Sequence, residues 1–183
     1  MTKIRFNDNA TRAGVEGWYA VEGDFLIFFF EGSNSKRDWI VNIIQSRPGL
    51  CFDYKVHEGW AVDMMNAEDV VMGIIVEHPE KRLVFTGHSY GGVIAKGMAR
   101  LITFPEFVIT FGSPKMFFDE IEAPFDVIEF RNAGDWVPWL PPFYKGMKSE
   151  KMVLPPWKPV WRSHPKYEFD CLINRVLLER TDG

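Results

Sequence analysis

Apolar positions along this chain alternate between two rhythms. Dense runs of β-favouring residues fall at Asp24–Phe30, Cys51–Val56, Arg82–Thr86, Phe107–Phe111 and Asp126–Phe130, and each predicts a strand. Between them, apolar side chains recur at the spacing of helical turns. Ser35–Gln45 gathers Trp39, Ile40, Ile43 and Ile44 on one side, and Trp60–Glu77 marks its turns with Val62, Met65, Asp69 and Met72 before Pro79 stops it. Tyr90–Ile102 runs up to Pro105, and Pro165–Glu179 carries Phe169, Leu172, Ile173, Val176 and Leu177. Strands alternating with helices predict an α/β fold, with a mainly parallel central sheet and helices on both faces.

The alternation breaks from Ala133 to Ser163. Seven of the 12 prolines lie between Pro138 and Pro165, and four of the 7 tryptophans are Trp136, Trp139, Trp157 and Trp161. Such a stretch predicts irregular or short-stranded chain laid over a core. Long ordered loops of this kind often carry function.

Composition narrows the class. The 183 residues suffice for one domain, expected over 1–183, and 46% hydrophobic with 25% charged residues is ordinary globular usage. A net charge of −4 gives no global attraction for nucleic acid. Two cysteines, Cys51 and Cys171, are too few for a disulfide framework and are expected as buried thiols. Met1 to Gly14 is polar, without the apolar centre of a signal peptide, and no run approaches the ~20 apolar residues of a membrane span. A cytoplasmic location is the default expectation. No metal-ligand spacing is present.

The chemistry centres on Leu83-Val84-Phe85-Thr86-Gly87-His88-Ser89-Tyr90-Gly91-Gly92, a short apolar strand that ends in Gly-x-Ser-x-Gly and passes at once into a helical pattern. That is the form of a nucleophile elbow, a sharp turn that lifts one serine hydroxyl out of the fold. A side chain at either flanking glycine is expected to clash with the neighbouring strand or helix. Ser89 is thus the expected nucleophile, through an acyl-enzyme.

A serine alkoxide needs a base, and the base needs a carboxylate to hold its tautomer. On folds with this elbow the partners follow in the order Ser, acid, His. Of His57, His78, His88 and His164, only His164 lies well after Ser89. His88 is expected to pack under the turn, His78 to cap a helix end or face solvent, and His57 to be structural or at the rim. The acid must lie between Ser89 and His164 near the end of a strand, and Asp135 fits best. Asp119, Glu120 and Glu122 are expected on a surface turn, while Asp126 and Glu129 start or line a strand and point elsewhere. Tyr90 follows the nucleophile and is expected to supply one oxyanion N–H; Ser33, in the turn after Asp24–Phe30, is expected to supply the second.

These motifs are similar to those of the class 3 lipases, the α/β-hydrolase branch that includes small fungal triacylglycerol lipases. The resemblance rests on Phe30 to Asn42, Val56 to Trp60, Val84 to Ala95, Thr110 to Lys115 and Arg131 to Pro138, with a looser match at Ser163 to Phe169. It implies a compact α/β-hydrolase, Ser89, Asp135 and His164 as triad, Ser33 and Tyr90 at the oxyanion hole, and ester hydrolysis on lipid or lipid-like substrates without cofactor. Two positions depart from the pattern: Glu31 stands where the family usually has Arg, and Tyr90 where it has a small or aliphatic residue. The resemblance also makes Ser35–Gln45 the counterpart of a lid helix, with a fixed core helix as the alternative expectation.

Trp39, Trp136 and Trp161 are the expected substrate-contacting aromatics. From Phe143 to Lys166 six Lys and Arg stand against one acid, Glu150, interleaved with Trp157, Trp161 and Met152. That pattern suits peripheral contact with an anionic lipid surface, the alternative being a solvated charged loop with its tryptophans folded under it. The competing reading of the chain is an inactive hydrolase fold used as a lipid-binding or scaffold module.

Overall fold

The computed structural model describes residues 2–5, 16–31, 48–51, 54–102, 105–155, 173, 176–177 and 179. Its frame is a seven-stranded sheet: β1 (Thr2–Arg5), β2 (Glu16–Glu22), β3 (Phe25–Phe30), β6 (Arg82–His88), β7 (Phe107–Phe111), β8 (Asp126–Asn132) and β9 (Glu150–Leu154), side by side in that order. From β3 to β9 every pairing is parallel, while β1, β2 and β3 pair antiparallel. The sheet is mainly parallel, as the alternation predicts. The additions lie at its two edges, where β1–β2 forms one side and β9, from the proline-rich stretch, extends the other.

Cys51–Val56 is a correction. It is not one strand but parts of two, β4 (Pro48–Cys51) and β5 (Tyr54–His57), which pair antiparallel in a separate small sheet. The short apolar run hid a chain reversal.

Both faces of the central strands are covered, and the period of two shows why. Leu26, Phe28, Phe30, Phe85 and Val108 pack on one face with α1 (Glu58–Glu77) and α2 (Tyr90–Leu101). Phe25, Ile27, Val84, Ile109, Phe111 and Phe130 pack on the other, against the helical residues Ile173 and Val176. The result is the three-layer α/β-hydrolase arrangement. Helix α1 has the expected length but a different inner face. Met65, Asp69 and Met72 are exposed, and Trp60, Met64, Ala67 and Val71 are buried. The inward stripe is rotated about one residue from the expected turn markers, and Gly97 of α2 makes the room that Met64 of this stripe fills.

The carboxyl ends of the parallel strands are nearly level. Phe30 is paired with Gly87, His88 with Phe111, Phe111 with Phe130, and Asn132 with Leu154. Loops leaving these ends share one edge of the sheet, where ligands bind on open α/β sheets. Among the described residues no helix is long and apolar enough to cross a membrane.

Candidate active site

Ser89 sits between β6 and α2 with φ 55° and ψ −119°. It is the only described non-glycine residue with positive φ. Such backbone costs on the order of 1–3 kcal/mol and persists only where its surroundings impose it. Here they do. Ser89 N–H donates to Phe111 O at 2.8 Å, and Gly92 N–H donates to Ser89 O at 3.1 Å. A Cβ on Gly87 would overlap the Gly91 carbonyl group at the start of α2, and one on Gly91 would overlap the Phe30 carbonyl at the end of β3. The glycines of the elbow are therefore required by close backbone approach to helix and strand, as expected.

The turn leaves Ser89 at the N-terminus of α2, whose first N–H groups lack intrahelical acceptors and form the positive end of the helix dipole. Tyr90 is the first residue of that helix. Its phenol donates to the Asp63 carboxylate on α1, and its ring meets Trp60 edge-on, with centroids 6.3 Å apart. Burial, followed by the Asp63 charge, raises the phenol well above its ordinary value. Burial likewise raises the Asp63 carboxyl, against the lowering effect of the Tyr90 hydrogen bond.

Asp135 follows β8 and is buried, at 3% exposure. Its N–H donates to Asn132 O at 2.9 Å, and its Oδ1 accepts from Val137 N–H at 3.0 Å. This tight turn orients the carboxylate and opens the short 3-10 helix Val137–Trp139. Trp136 beside it is exposed.

Sequence reasoning missed a buried ionic cluster under the same edge. Lys96, in the middle of α2, is 1% exposed; its Nζ lies 3.3 Å from Glu129 Oε1 and donates to Pro114 O at 3.1 Å. Glu129, on β8, also binds Arg131, whose guanidinium lies over the Trp139 ring, 5.6 Å from its centroid. Burial alone would raise the Glu129 carboxyl, but Lys96 and Arg131 more than offset it and hold it below the usual range. Burial lowers Lys96, with Glu129 opposing. The cluster ties α2 to β8, to the loop after β7 and, through Trp139, to the loop that carries Asp135. Its one sequence signal was a lysine inside the otherwise small and apolar run Val93-Ile94-Ala95-Lys96-Gly97-Met98-Ala99.

Asp119, Glu120 and Glu122 are exposed, and His88 is half-buried at the end of β6. His78 is half-buried against Tyr19 rather than open to solvent, with ring centroids 6.4 Å apart. His57 is the last residue of β5. Ser33, Trp39, Trp161, His164, Cys171 and the segment Ser35–Gln45 lie outside the described residues. The structure thus brings Ser89, Tyr90 and Asp135 to one edge of the sheet, with Trp136 beside the last.

Comparison with known proteins fits this frame. The chain is 29% identical over 154 residues to the secreted mono- and diacylglycerol lipase 1 of Fusarium solani, covering 75% of this chain and 46% of that one. The Rhizomucor miehei lipase–propeptide complex superposes with a TM-score of 0.63 at 22% identity, over 76% of this chain and 52% of its own. Lipase II of Rhizopus niveus gives 0.63 at 20% identity, over 83% and 66%. At these identities the superpositions establish the fold. The chain spans about half the length of the Fusarium and Rhizomucor proteins. The sequence profile of the family Lipase (class 3) matches residues 27–145, well over half of the chain. The chain belongs to the class 3 lipase family.

Proposed function

We propose that this protein is a serine ester hydrolase acting on acylglycerols or other lipid-like esters, as a single domain over 1–183. The observation that carries the reading is the strained Ser89 at a helix N-terminus, on the same sheet edge as the buried Asp135. A serine held at positive φ between strand and helix is the form of a nucleophile elbow, and Ser89, 2% exposed, keeps that form within the sheet edge rather than on open surface. Strands β6 and β8 flank β7, so their ends lie about 10 Å apart. That gap is too wide for a direct Ser–Asp hydrogen bond and suits an imidazole between them.

In the mechanism His164 removes the proton from Ser89 as Oγ attacks the ester carbonyl. Asp135 holds the imidazole and stabilises its charge. The N–H groups of Tyr90 and Ser33 receive the oxyanion. Collapse expels the alcohol, which takes its proton from His164 and leaves an acyl group on Ser89. Water, deprotonated by the same histidine, then releases the acid and restores the serine. The chemistry needs no cofactor. Trp39, Trp136 and Trp161 contact the acyl or alcohol portion.

The substrate class draws support from the name of the Fusarium relative, a mono- and diacylglycerol lipase. Contact with a lipid surface draws support from the stretch after Asp135, where Trp139 is 62% and Phe143 85% exposed and Lys145 and Lys151 face solvent. Aromatic and cationic side chains together favour an anionic interface.

Hydrolysis of nitrophenyl esters of increasing acyl length tests the reading. The wild type hydrolyses them, and Ser89→Ala loses on the order of 10⁴- to 10⁶-fold in turnover. Equal rates in the two proteins would refute it. Co-sedimentation with vesicles tests the surface; binding that ignores lipid charge would remove the anionic preference.

A further inference from the structure

The turn that carries Ser89 is gripped at three successive residues, each in a different way. Ser89 is held through its N–H to Phe111 O at 2.8 Å. Gly91 is held by backbone contact, since a Cβ there would overlap the carbonyls of Phe30 and Glu31. Tyr90, between them, is held through its side chain. Its phenol donates to Asp63, and its ring lies edge-on to Trp60, both on α1. Trp60 is 4% exposed and belongs to the main core, so this wall is rigid.

A bulky aromatic next to a nucleophile has two places to go. It can lie over the serine and obstruct the incoming carbonyl, or it can be drawn away. A phenol drawn into the interior needs a partner for its hydroxyl. Asp63 is that partner, on a helix turn otherwise built from Trp60, Ala61 and Met64. An aliphatic residue at position 90 would leave Asp63 half-buried with no phenol to bind, so the two residues make sense only together.

We propose that Asp63, acting through Tyr90, is a positioning residue for hydrolysis at Ser89. The clamp fixes the Ser89–Tyr90 peptide so that the Tyr90 N–H stays aimed at the oxyanion, and it keeps the phenol ring clear of the serine hydroxyl. The proposal rests on the ester-hydrolase reading and adds two residues to it. Burial keeps the phenol protonated, so it can donate to the Asp63 carboxylate as the clamp requires.

Steady-state hydrolysis of nitrophenyl butyrate by Asp63→Ala, Asp63→Asn, Tyr90→Phe and the Tyr90→Phe/Asp63→Ala double variant tests this. Small misplacement of a catalytic group costs up to about 100-fold. Asp63→Ala and Tyr90→Phe are expected to lower kcat by roughly 10- to 100-fold with little change in KM. The double variant should be no slower than the slower single one. Asp63→Asn should recover most of the rate, because its amide oxygen accepts the same hydrogen bond. Tyr90→Phe and Asp63→Asn keep the packing, so they carry the test even where Asp63→Ala fails to fold; thermal melting reports that. Wild-type kcat in folded Tyr90→Phe, a loss confined to KM, or additive losses in the double variant would overturn the clamp. So would an Asp63→Asn protein as slow as Tyr90→Phe. A wild type without Ser89-dependent hydrolysis would overturn the ester-hydrolase reading and the clamp together. Hydrolysis that the clamp variants leave untouched would overturn the clamp alone.

Discussion

Helix α2 is held by two polar anchors, and it is the deeper carboxylate that is shifted down and the shallower one that is shifted up. At its first residue, Tyr90 reaches Asp63, which is half-buried and faces a neutral donor. Further along, Lys96 reaches Glu129, which is 4% exposed yet carries its charge between Lys96 and Arg131. Burial dominates at Asp63 and raises its carboxyl. At Glu129 two cations reverse the same effect. Depth alone therefore does not set the direction of the shift; the adjacent cations reverse it at Glu129. The first anchor is a hydrogen bond that shapes the turn at Ser89. The second is an ion cluster that fastens four chain segments at the sheet edge.

Removing one ion from the second anchor should have the largest effect on stability. Glu129→Ala leaves Lys96 buried with only the Pro114 carbonyl, and breaking a buried pair from one side costs about 3–5 kcal/mol. Urea unfolding is the measurement. Replacing both partners, as in Lys96→Met/Glu129→Leu, should recover most of that loss, because an apolar pair of similar volume carries no desolvation cost. Lys96→Met alone should cost less than Glu129→Ala, since Arg131 still neutralises the carboxylate. A Glu129→Ala protein as stable as wild type would mean the cluster does not anchor α2.

The two anchors should also respond to pH with opposite signs. Glu129 is held below its ordinary value in the folded protein. Its contribution is full above the unfolded glutamate value, about 4.3, and is lost as pH falls through the lower folded value. Asp63 is raised in the folded protein. Its contribution is full below the unfolded aspartate value, about 3.9, and is lost as pH rises through the higher folded one. Melting temperatures from pH 3 to 7 should therefore show wild type gaining on Glu129→Gln, and losing ground to Asp63→Asn, as pH rises. Parallel curves for the two variants would erase the distinction between the anchors.

The contrast between anchors also marks what could be read from the chain. The central strands and the elbow were legible because each depends on local chemistry: runs such as Phe107–Phe111, and glycines at 87 and 91 whose need is set by immediate neighbours. The tight turn at Asp135 was legible from the turn-forming sequence around it. Asp63, Lys96 and Glu129 were not, because polar residues inside a helix or strand look like a solvated face until the partner arrives from elsewhere. Asp63 sits on α1 and Lys96 on α2, and neither names Tyr90 or Glu129 as its contact. The inner face of α1 escaped for a related reason: Ala67 is fully buried but carries no strong apolar signal, and the room for Met64 comes from Gly97 on the other helix. Strand β1 escaped because edge strands tolerate polar residues that blur the alternation, and β2 because only two of its seven residues are buried.

The outermost link of the ionic cluster offers the smallest and sharpest test. Arg131 is half-buried, bound to Glu129 on one side and stacked on Trp139 on the other. Trp139 is largely exposed, so an arginine–tryptophan contact there should contribute about 0.5–1 kcal/mol. Trp139→Ala should lower stability by that amount in urea unfolding. Combined with Arg131→Gln, the two losses should fall short of additive, because each removes the same contact. If the cluster also steadies the Asp135 loop, Trp139→Ala should slow hydrolysis of a soluble nitrophenyl ester as well as weaken binding to anionic vesicles. A loss confined to vesicle binding would place Trp139 wholly in the lipid-facing surface and end the ionic cluster at Arg131.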